Sequence, residues 1–487
     1  MELSSLIRKR MESPTPLYNS KGVSYENIVD HFDILRSYLE ELPSKQRPIG
    51  IMLPKEPCFV LLMLACMERG VPYVPLNVDT PQERLADIVE DADIQKVIGL
   101  DTFENIIASR RSNAELQPPV LEPQHPLYII FTSGSTGRPK GVAISRDAFQ
   151  AYSEWLVSYL GESVTANDRL LQITEFTFDI SLIDIILYLS KNAPLYFSGF
   201  GNIVVKLAQE IEQKQITAFS TVPNNVNMLL SDLVVKKADF SSLKTLMVGG
   251  ARFSYGLYQK VAQHCNHMDV HNFYGPTEFT IYSHAKKMTF SESDDVRNHT
   301  VSIGVANTQV QPEILLDGQF AQPYQQGELV LSGAQIMNGY VNNPSKTAEA
   351  VVELHGRAFY KTGDLAYKDD KNEYFIVGRL DDTIKVRGYR VNLLDIDSYI
   401  SRLDFVQDVT TIAIPDEIRE NLTVCYLIPK PDVRDKLSVV EVKRQFKDVL
   451  MDYQVPDKII FTESFPTNSS GKVCKKTLAA RYAEKSR

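Results

Sequence analysis

Phe131-Thr132-Ser133-Gly134-Ser135-Thr136-Gly137-Arg138-Pro139-Lys140-Gly141 follows the apolar run Leu127–Ile130, and its reading governs the rest of the chain. Hydroxyls at Thr132, Ser133, Ser135 and Thr136 stand among backbone amides that Gly134 and Gly137 leave accessible, and Lys140 adds a cation. Such a stretch offers many donors to phosphate oxygens. It is not a Walker loop, because the Gly-Lys-Ser/Thr order is missing and Pro139 precedes the lysine.

Outward from this loop, strand-like and helical runs alternate: Pro48–Leu53, Cys58–Glu68, Val71–Pro75, Pro81–Glu90 and Lys96–Leu100. That is the pattern of βαβ units and a parallel sheet. A second series runs from Leu170 to Gly250, where Lys244–Val248 reads as a strand closing on Gly249 and Gly250. After Tyr274 the runs become short strands and turns (Gln309–Leu316, Gly327–Ser332, Glu373–Val377), which predicts antiparallel pairing. The polar stretch Gly378–Asp382 then precedes a strand at Thr383–Val386, a helix at Asn392–Leu403, strands at Val409–Ile414 and Leu422–Ile428, and a helix at Val439–Met451. A chain of 487 residues is too long for one core. The expectation is an α/β protein with an N-terminal core over residues 1–379, partly parallel and partly β-rich, a hinge at 380–382, and a small mobile α+β domain over 383–487.

Composition excludes several classes. With 44% hydrophobic and 23% charged residues the chain is an ordinary globular protein. Its net charge of −9 speaks against nucleic acid as a partner. From Thr383 onward 18 Lys and Arg face 15 Asp and Glu, so the C-terminal part is mildly basic on an acidic body. The N-terminus has no apolar leader and the longest apolar runs are too short to span a bilayer, so a cytoplasmic protein without membrane contact is expected. Five cysteines without a CxxC spacing fit neither a disulfide framework nor a zinc site. His264, Cys265 and His267 read as surface helix positions.

Further motifs follow the loop in order. In Tyr274-Gly275-Pro276-Thr277-Glu278 a tyrosine that can lie on adenine precedes oxygens suited to Mg²⁺; in isolation this is only a Gly-Pro turn. Tyr360-Lys361-Thr362-Gly363-Asp364 offers a carboxylate to ribose hydroxyls. Gly327-Glu328-Leu329 with Gly339-Tyr340, Gly378-Arg379 with Lys385–Gly388, and Asn468–Lys472 complete the set. Together, and in this order, they resemble the signature of the adenylate-forming enzymes, the superfamily of acyl-CoA synthetases, luciferases and adenylation domains of nonribosomal peptide synthetases.

The resemblance implies ATP and Mg²⁺ as cofactors, with Glu278 as the metal residue and Lys472, Glu278, Thr132 and Lys140 as catalytic groups. It places the nucleotide against the Thr132–Lys140 loop, against Gly249, Gly250 and Ala251, against Asn272, Phe273, Tyr274, Gly275 and Thr277, and against Asp364, Tyr374, Arg379 and Lys472. A mobile lysine suits this chemistry, because a carboxylate attacking an α-phosphate brings two anions together. In relatives the C-terminal domain turns between two half-reactions about a residue that corresponds to Asp381. One departure stands after Arg390, where the family usually has an acid two residues on and this chain has Asn392, then Asp395 and Asp397.

Phe178-Asp179-Ile180-Ser181 resembles the motif whose aspartate holds the substrate amino group in amino-acid-activating members. The run Ile173–Leu189 is otherwise apolar, so a carboxylate within it needs a partner, and an ammonium would serve. Asp184, in the same run, reads as a cap or a solvent-facing acid. By the same alignment Asp179, Ile180, Ile183, Thr221, Met247, Gly249, Phe273, Ile281 and Tyr282 line the acyl pocket. The large Phe273 and Tyr282 predict a raised floor and a small substrate: glycine, then alanine or serine. The expected acceptor is the phosphopantetheine thiol of a carrier protein supplied in trans, as in free-standing peptide synthetase adenylation enzymes or D-alanine–carrier protein ligases. The latter usually carry a cysteine where Gly249 stands. Coenzyme A as acceptor and a catalytically retired homologue are the rival readings.

Overall fold

The computed structural model describes residues 3–485 apart from 81, 110–115, 117–118, 120, 133–138, 200–203, 236–237, 299, 381–382, 387–388, 417–419, 451–453 and 469–471. Two sheets carry the N-terminal part. One has the strand order Leu17–Tyr18, Leu195–Phe197, Leu170–Gln172, Ala218–Thr221, Thr245–Val248, Asp269–Tyr274, His284–Lys287, Val305–Ala306. It is parallel up to Asp269–Tyr274 and antiparallel beyond. The other runs Gly339–Tyr340, Lys140–Ser145, Pro126–Thr132, Tyr73–Pro75, Ile49–Met52, Lys96–Gly99, with a parallel interior and the first two strands antiparallel.

Helix Pro57–Arg69 is buried at every residue, and helix Ser181–Lys191 is buried from Ser181 to Leu189. A helix that is apolar all round must be enclosed on all sides, and both helices belong to the one core cluster that joins the two sheets. Next comes an antiparallel sheet: Gln319–Phe320, Val310–Leu316, Gly327–Gly333, Arg357–Lys368 and Val351–Leu354, with Tyr374–Arg379 also paired to Arg357–Lys368. The C-terminal part holds the hairpin Thr383–Val386 and Tyr389–Asn392 and the sheet Val406–Asp416, Glu420–Pro429, Lys458–Phe461. Helices Leu393–Ile400, Val439–Val449 and Lys475–Lys485 accompany it. Its core, with Ile396, Cys425, Leu427 and Phe446 among its members, is separate from the others.

The parallel-then-antiparallel reading therefore holds, with three local differences. Strand Tyr374–Arg379 runs through Gly378 and Arg379, because Arg379 lies opposite Asp364 in the ladder and Nη1 donates to Asp364 Oδ1 at 3.0 Å. The helix expected over 392–403 spans Leu393–Ile400. Cys265 is buried at the end of helix Tyr255–His264 rather than exposed, since its thiol joins an apolar cluster. Cys58, Cys66, Cys265, Cys425 and Cys474 are all free. Among the described residues no helix is long and apolar enough to cross a membrane.

One charged group is built into this core. Glu68 is fully buried on helix Pro57–Arg69 and accepts from Arg8 Nε at 2.6 Å and Arg36 Nε at 3.0 Å, with Arg69 Nη1 3.7 Å away. Removing one partner of a buried ionic cluster strands the others, which costs about 3–5 kcal/mol. Glu68→Gln should therefore lower the unfolding free energy by about that much in urea titrations. A loss below about 1 kcal/mol would show that Asp33 and Glu40 can hold the arginines without it.

Candidate functional site

After strand Leu170–Gln172 the chain places Leu195–Phe197 on one side and then crosses to lay Ala218–Thr221 on the other. In an open parallel sheet the crevice beyond the strand ends at such a reversal is where ligands bind. Asp179 lies in the connection leaving Leu170–Gln172, Thr221 ends its strand, Gly249 follows Thr245–Val248, and Tyr274 ends Asp269–Tyr274. Residues far apart in the chain thus meet at one rim.

Asp179 is 7% exposed and its Oδ2 has no hydrogen-bond partner. Burial pushes its carboxyl from the ordinary 3.8 up to about 6, against the opposing pull of a Thr277 hydrogen bond and the Lys472 charge, while Glu278 adds to the rise. Phe273 and Tyr282, the latter within reach of the Asp179 charge, stack with centroids 5.0 Å apart and planes at 10°. Trp155 and Tyr159, on helix Arg146–Leu160, meet Phe273 edge-on at 6.2 and 5.7 Å and lock that stack. A Cβ on Gly249 would overlap the Tyr282 hydroxyl, so the ring occupies the space a larger residue at 249 would need. Ile180, Ile183, Met247 and Ile281 are buried around this floor. Thr221 is buried too, and its hydroxyl accepts from Asn225 Nδ2 at 3.1 Å.

Strands Pro126–Thr132 and Lys140–Ser145, which flank the glycine-rich stretch, pair antiparallel, with the stretch between them at the open end of the pairing. Thr132 and Lys140 face each other in register at its base, and Ser133, Gly134, Ser135, Thr136 and Gly137 lie outside the described residues. Lys140 Nζ stands 5.3 Å from the Tyr340 ring centroid, and the Tyr340 hydroxyl donates to Glu278 Oε1 at 2.9 Å. Lys140, Tyr340 and Glu278 therefore line one side of the crevice. On the other side Asp364 accepts from the Tyr274 hydroxyl and from Arg379. Asn272 donates to Ser302 O at 2.9 Å, and Ala251 is exposed beside Gly249 and Gly250. Tyr374 turns its hydroxyl to Pro312 O at 3.0 Å, and its ring meets His284, itself edge-on to Tyr274. His284 thus stands between it and Tyr274.

Lys472 comes from the far end of the chain. Its loop is closed by Asn468 N to Lys472 O at 2.8 Å, Lys472 N to Asn468 Oδ1 at 3.0 Å and a bridge between Thr467 and Val473. The residue is exposed, yet partial desolvation lowers the pKa of its ammonium against the pull of Asp179, Asp364 and Glu278, with Arg379 adding to the lowering. The three carboxylates of the crevice thus all act on the charge of this lysine. Asp381 lies outside the described residues.

No group of three or more His, Cys, Asp or Glu able to hold a metal occurs among the described residues. A single carboxylate, Glu278, joined through Tyr340 to Lys140, fits Mg²⁺, which takes one or two carboxylates and completes its shell with phosphate oxygens and water.

Two expectations change. Asp184 neither caps a helix nor meets solvent: it is fully buried, accepts from Ser220 Oγ at 3.0 Å, and burial holds its carboxyl well above the usual range. Helix Ser181–Lys191 packs that face onto the sheet. Tyr340 was legible in sequence only as a structural motif, yet it links Lys140 to Glu278. Trp155 gave no sequence signal beyond its apolar spacing. The turn Thr280–Ile281 adds a feature no pattern reveals: both residues are left-handed, at φ 52° and 68°. Each costs on the order of 1–3 kcal/mol and persists only where surroundings impose it.

The raised pKa of Asp179 has a sign. Its stabilising contribution is complete below about pH 4 and is lost as pH rises through about 6. A carboxylate moved from 3.8 to about 6 carries on the order of 3 kcal/mol. Asp179→Asn should therefore gain up to about that much stability at pH 8 in urea unfolding and little at pH 4, while losing the anion of the pocket. Equal stability of the two proteins at pH 8 would show that the ionised carboxylate is already compensated.

The model of the AMP-binding enzyme family matches residues 7–341, and that of the AMP-binding enzyme C-terminal domain matches residues 395–472. The D-alanine–D-alanyl carrier protein ligase of Bacillus licheniformis is 27% identical over 457 residues, 88% of each chain. A linear gramicidin synthase of Brevibacillus parabrevis is 31% identical over 97% of this chain, which spans 6% of that protein. Among solved structures, the four-domain nonribosomal peptide synthetase holo-AB3403 bound to AMP and glycine aligns with a TM-score of 0.79 at 21% identity, covering 98% of this chain and 36% of that one. Most of the crevice lies within the first matched region and the lysine loop closes the second, and the chain belongs to the AMP-binding, adenylate-forming family of AMP-forming ligases.

Proposed function

We propose that this protein activates a small α-amino acid, glycine before alanine or serine, as its aminoacyl-AMP and then transfers the acyl group to the phosphopantetheine thiol of a carrier protein. The observation that carries this reading is the buried Asp179 carboxylate, with Oδ2 unpartnered, above a floor raised by the Phe273–Tyr282 stack. An α-ammonium would satisfy that oxygen, and the stack leaves room for little beyond it. The relatives support the class: one is named for D-alanine and a carrier protein, and one aligned structure contains glycine with AMP.

In the first half-reaction a carboxylate oxygen of the amino acid bonds to the α-phosphorus of ATP while the bond to the pyrophosphate oxygen breaks. Asp179 orients the substrate by its ammonium, so that the carboxylate points toward Lys472. The Lys472 ammonium offsets charge that builds as the two anions meet. Lys140 and the hairpin donors hold phosphates, and Asp364 with Tyr274 holds the nucleoside. Mg²⁺, held by Glu278, would neutralise phosphate charge. In the second half-reaction the carrier thiolate attacks the carbonyl carbon and AMP leaves. We take residues 1–379 and 383–487 as the two domains and Asp381 as the hinge between these steps.

Lys472→Ala should slow adenylation by more than the roughly 10²–10³-fold seen for one lost oxyanion donor, while thioester formation from supplied aminoacyl-AMP survives. Near-normal ATP–pyrophosphate exchange in the variant would remove Lys472 from this role. Exchange measured with glycine, D- and L-alanine, serine, proline and phenylalanine tests the pocket. Glycine should lead, with alanine lower by the roughly 10–200-fold that one methylene is worth. A preference for phenylalanine would overturn the pocket, and acylation of coenzyme A in place of a phosphopantetheinylated carrier would overturn the acceptor.

A further inference from the structure

We infer that Gln335 is a positioning residue of the acyl pocket: its buried amide holds the left-handed turn Thr280–Ile281 and so sets how far Tyr282 reaches into the space for the substrate side chain. The inference rests on the pocket proposed above.

Gln335 is fully buried in the connection between strands Gly327–Gly333 and Gly339–Tyr340. Its Nε2 faces three carbonyl oxygens of one turn, Phe279 O at 3.2 Å, Thr280 O at 3.1 Å and Tyr282 O at 3.0 Å. Its Oε1 accepts from Asn307 Nδ2. Only one orientation of the amide satisfies both ends, because carbonyl oxygens need a donor and the Asn307 amine needs an acceptor. The Gln335 main chain answers the same turn, since Thr280 Oγ1 donates to Gln335 O at 2.6 Å. Two residues on, Met337 N donates to Glu278 O at 3.0 Å.

The turn is gripped from the opposite side as well. A Cβ on Gly275 would overlap Ile281 O and crowd the Tyr282 Cα, so the returning chain runs directly against that glycine. Ser283 N donates to Tyr274 O at 2.8 Å. A β-branched residue in the left-handed region, as Ile281 is, keeps that conformation only when its surroundings impose it. Tyr282 follows immediately, and its hydroxyl abuts Gly249. Any relaxation of the turn therefore moves the ring that forms the pocket floor. Gln335 acts through Tyr282 and has no need to touch the reacting atoms.

Gln335→Met keeps length and volume but removes the donor and the acceptor. Two readouts are taken: amide hydrogen exchange of residues 277–283 in the ligand-free protein, and kcat/KM for glycine and L-alanine alongside the KM for ATP. Exchange in the turn should rise and the glycine-over-alanine ratio should fall about tenfold, with the ATP KM within about twofold of wild type. Asn307→Ala, which frees Oε1, should move both readouts the same way by less, and it carries the comparison if Gln335→Met does not fold. Asp168→Asn weakens a buried carboxylate bonded by Thr165 and Thr217; it should cost stability without changing the ratio. An unchanged ratio with unchanged exchange overturns the role of Gln335, as does the same loss of ratio in Asp168→Asn. Wild-type protein without amino-acid-dependent activity instead strikes the proposed function, and hydrogen exchange alone then decides whether Gln335 holds the turn.

Discussion

A buried carboxylate with an oxygen left unpartnered is unfavourable in a folded protein, and the crevice of this one is organised around Asp179. Burial raises its pKa, and the nearby Glu278 makes ionisation harder still. The compensating charges come from elsewhere: Lys472 from the C-terminal loop and, in the function we propose, the ammonium of the substrate. Keeping such a group is sensible where a ligand supplies the counter-charge, since removing one side of a buried pair is far more costly than leaving it assembled. In that function the acid would tie substrate recognition to the position of the C-terminal part.

The same logic extends to the other anions. Asp364 is occupied by Tyr274 and Arg379, and Glu278 by Tyr340. Both are held in place by hydroxyl or guanidinium donors, and the charges of Asp179, Asp364 and Glu278 all act on Lys472. In the function we propose, a lysine attracted by carboxylates of three chain segments would act as a closing device. That attraction would diminish if the loop swung away, as the proposed alternation between two half-reactions requires.

In the proposed pocket, size selection has a different physical origin. The Phe273–Tyr282 stack is braced by Trp155 and Tyr159, and a turn with two left-handed residues delivers Tyr282 to it. Local strain of this kind survives only with strong packing and hydrogen bonding around it. In the proposed pocket, aromatic packing from one side and the turn held by Gln335 from the other converge on the Tyr282 ring.

The order of motifs, the parallel-to-antiparallel change after Tyr274 and the candidates for phosphate, adenine, ribose and ammonium could all be read along the chain. They are legible because strand and helix periodicity and glycine-rich turns are local properties. Asp179 was readable as an acid in an apolar run, but so was Asp184, and only the folded protein separates them. Each has one buried oxygen without a partner, but Asp184 is fully enclosed on its helix and held by Ser220, while Asp179 precedes that helix, keeps 7% exposure and feels Thr277, Lys472 and Glu278. The link from Lys140 through Tyr340 to Glu278, the bracing by Trp155 and the grip of Gln335 on the Thr280–Ile281 turn exist only once the chain has folded. Each joins residues tens to hundreds of positions apart, and no local propensity encodes which side chains meet when two sheets close over buried helices.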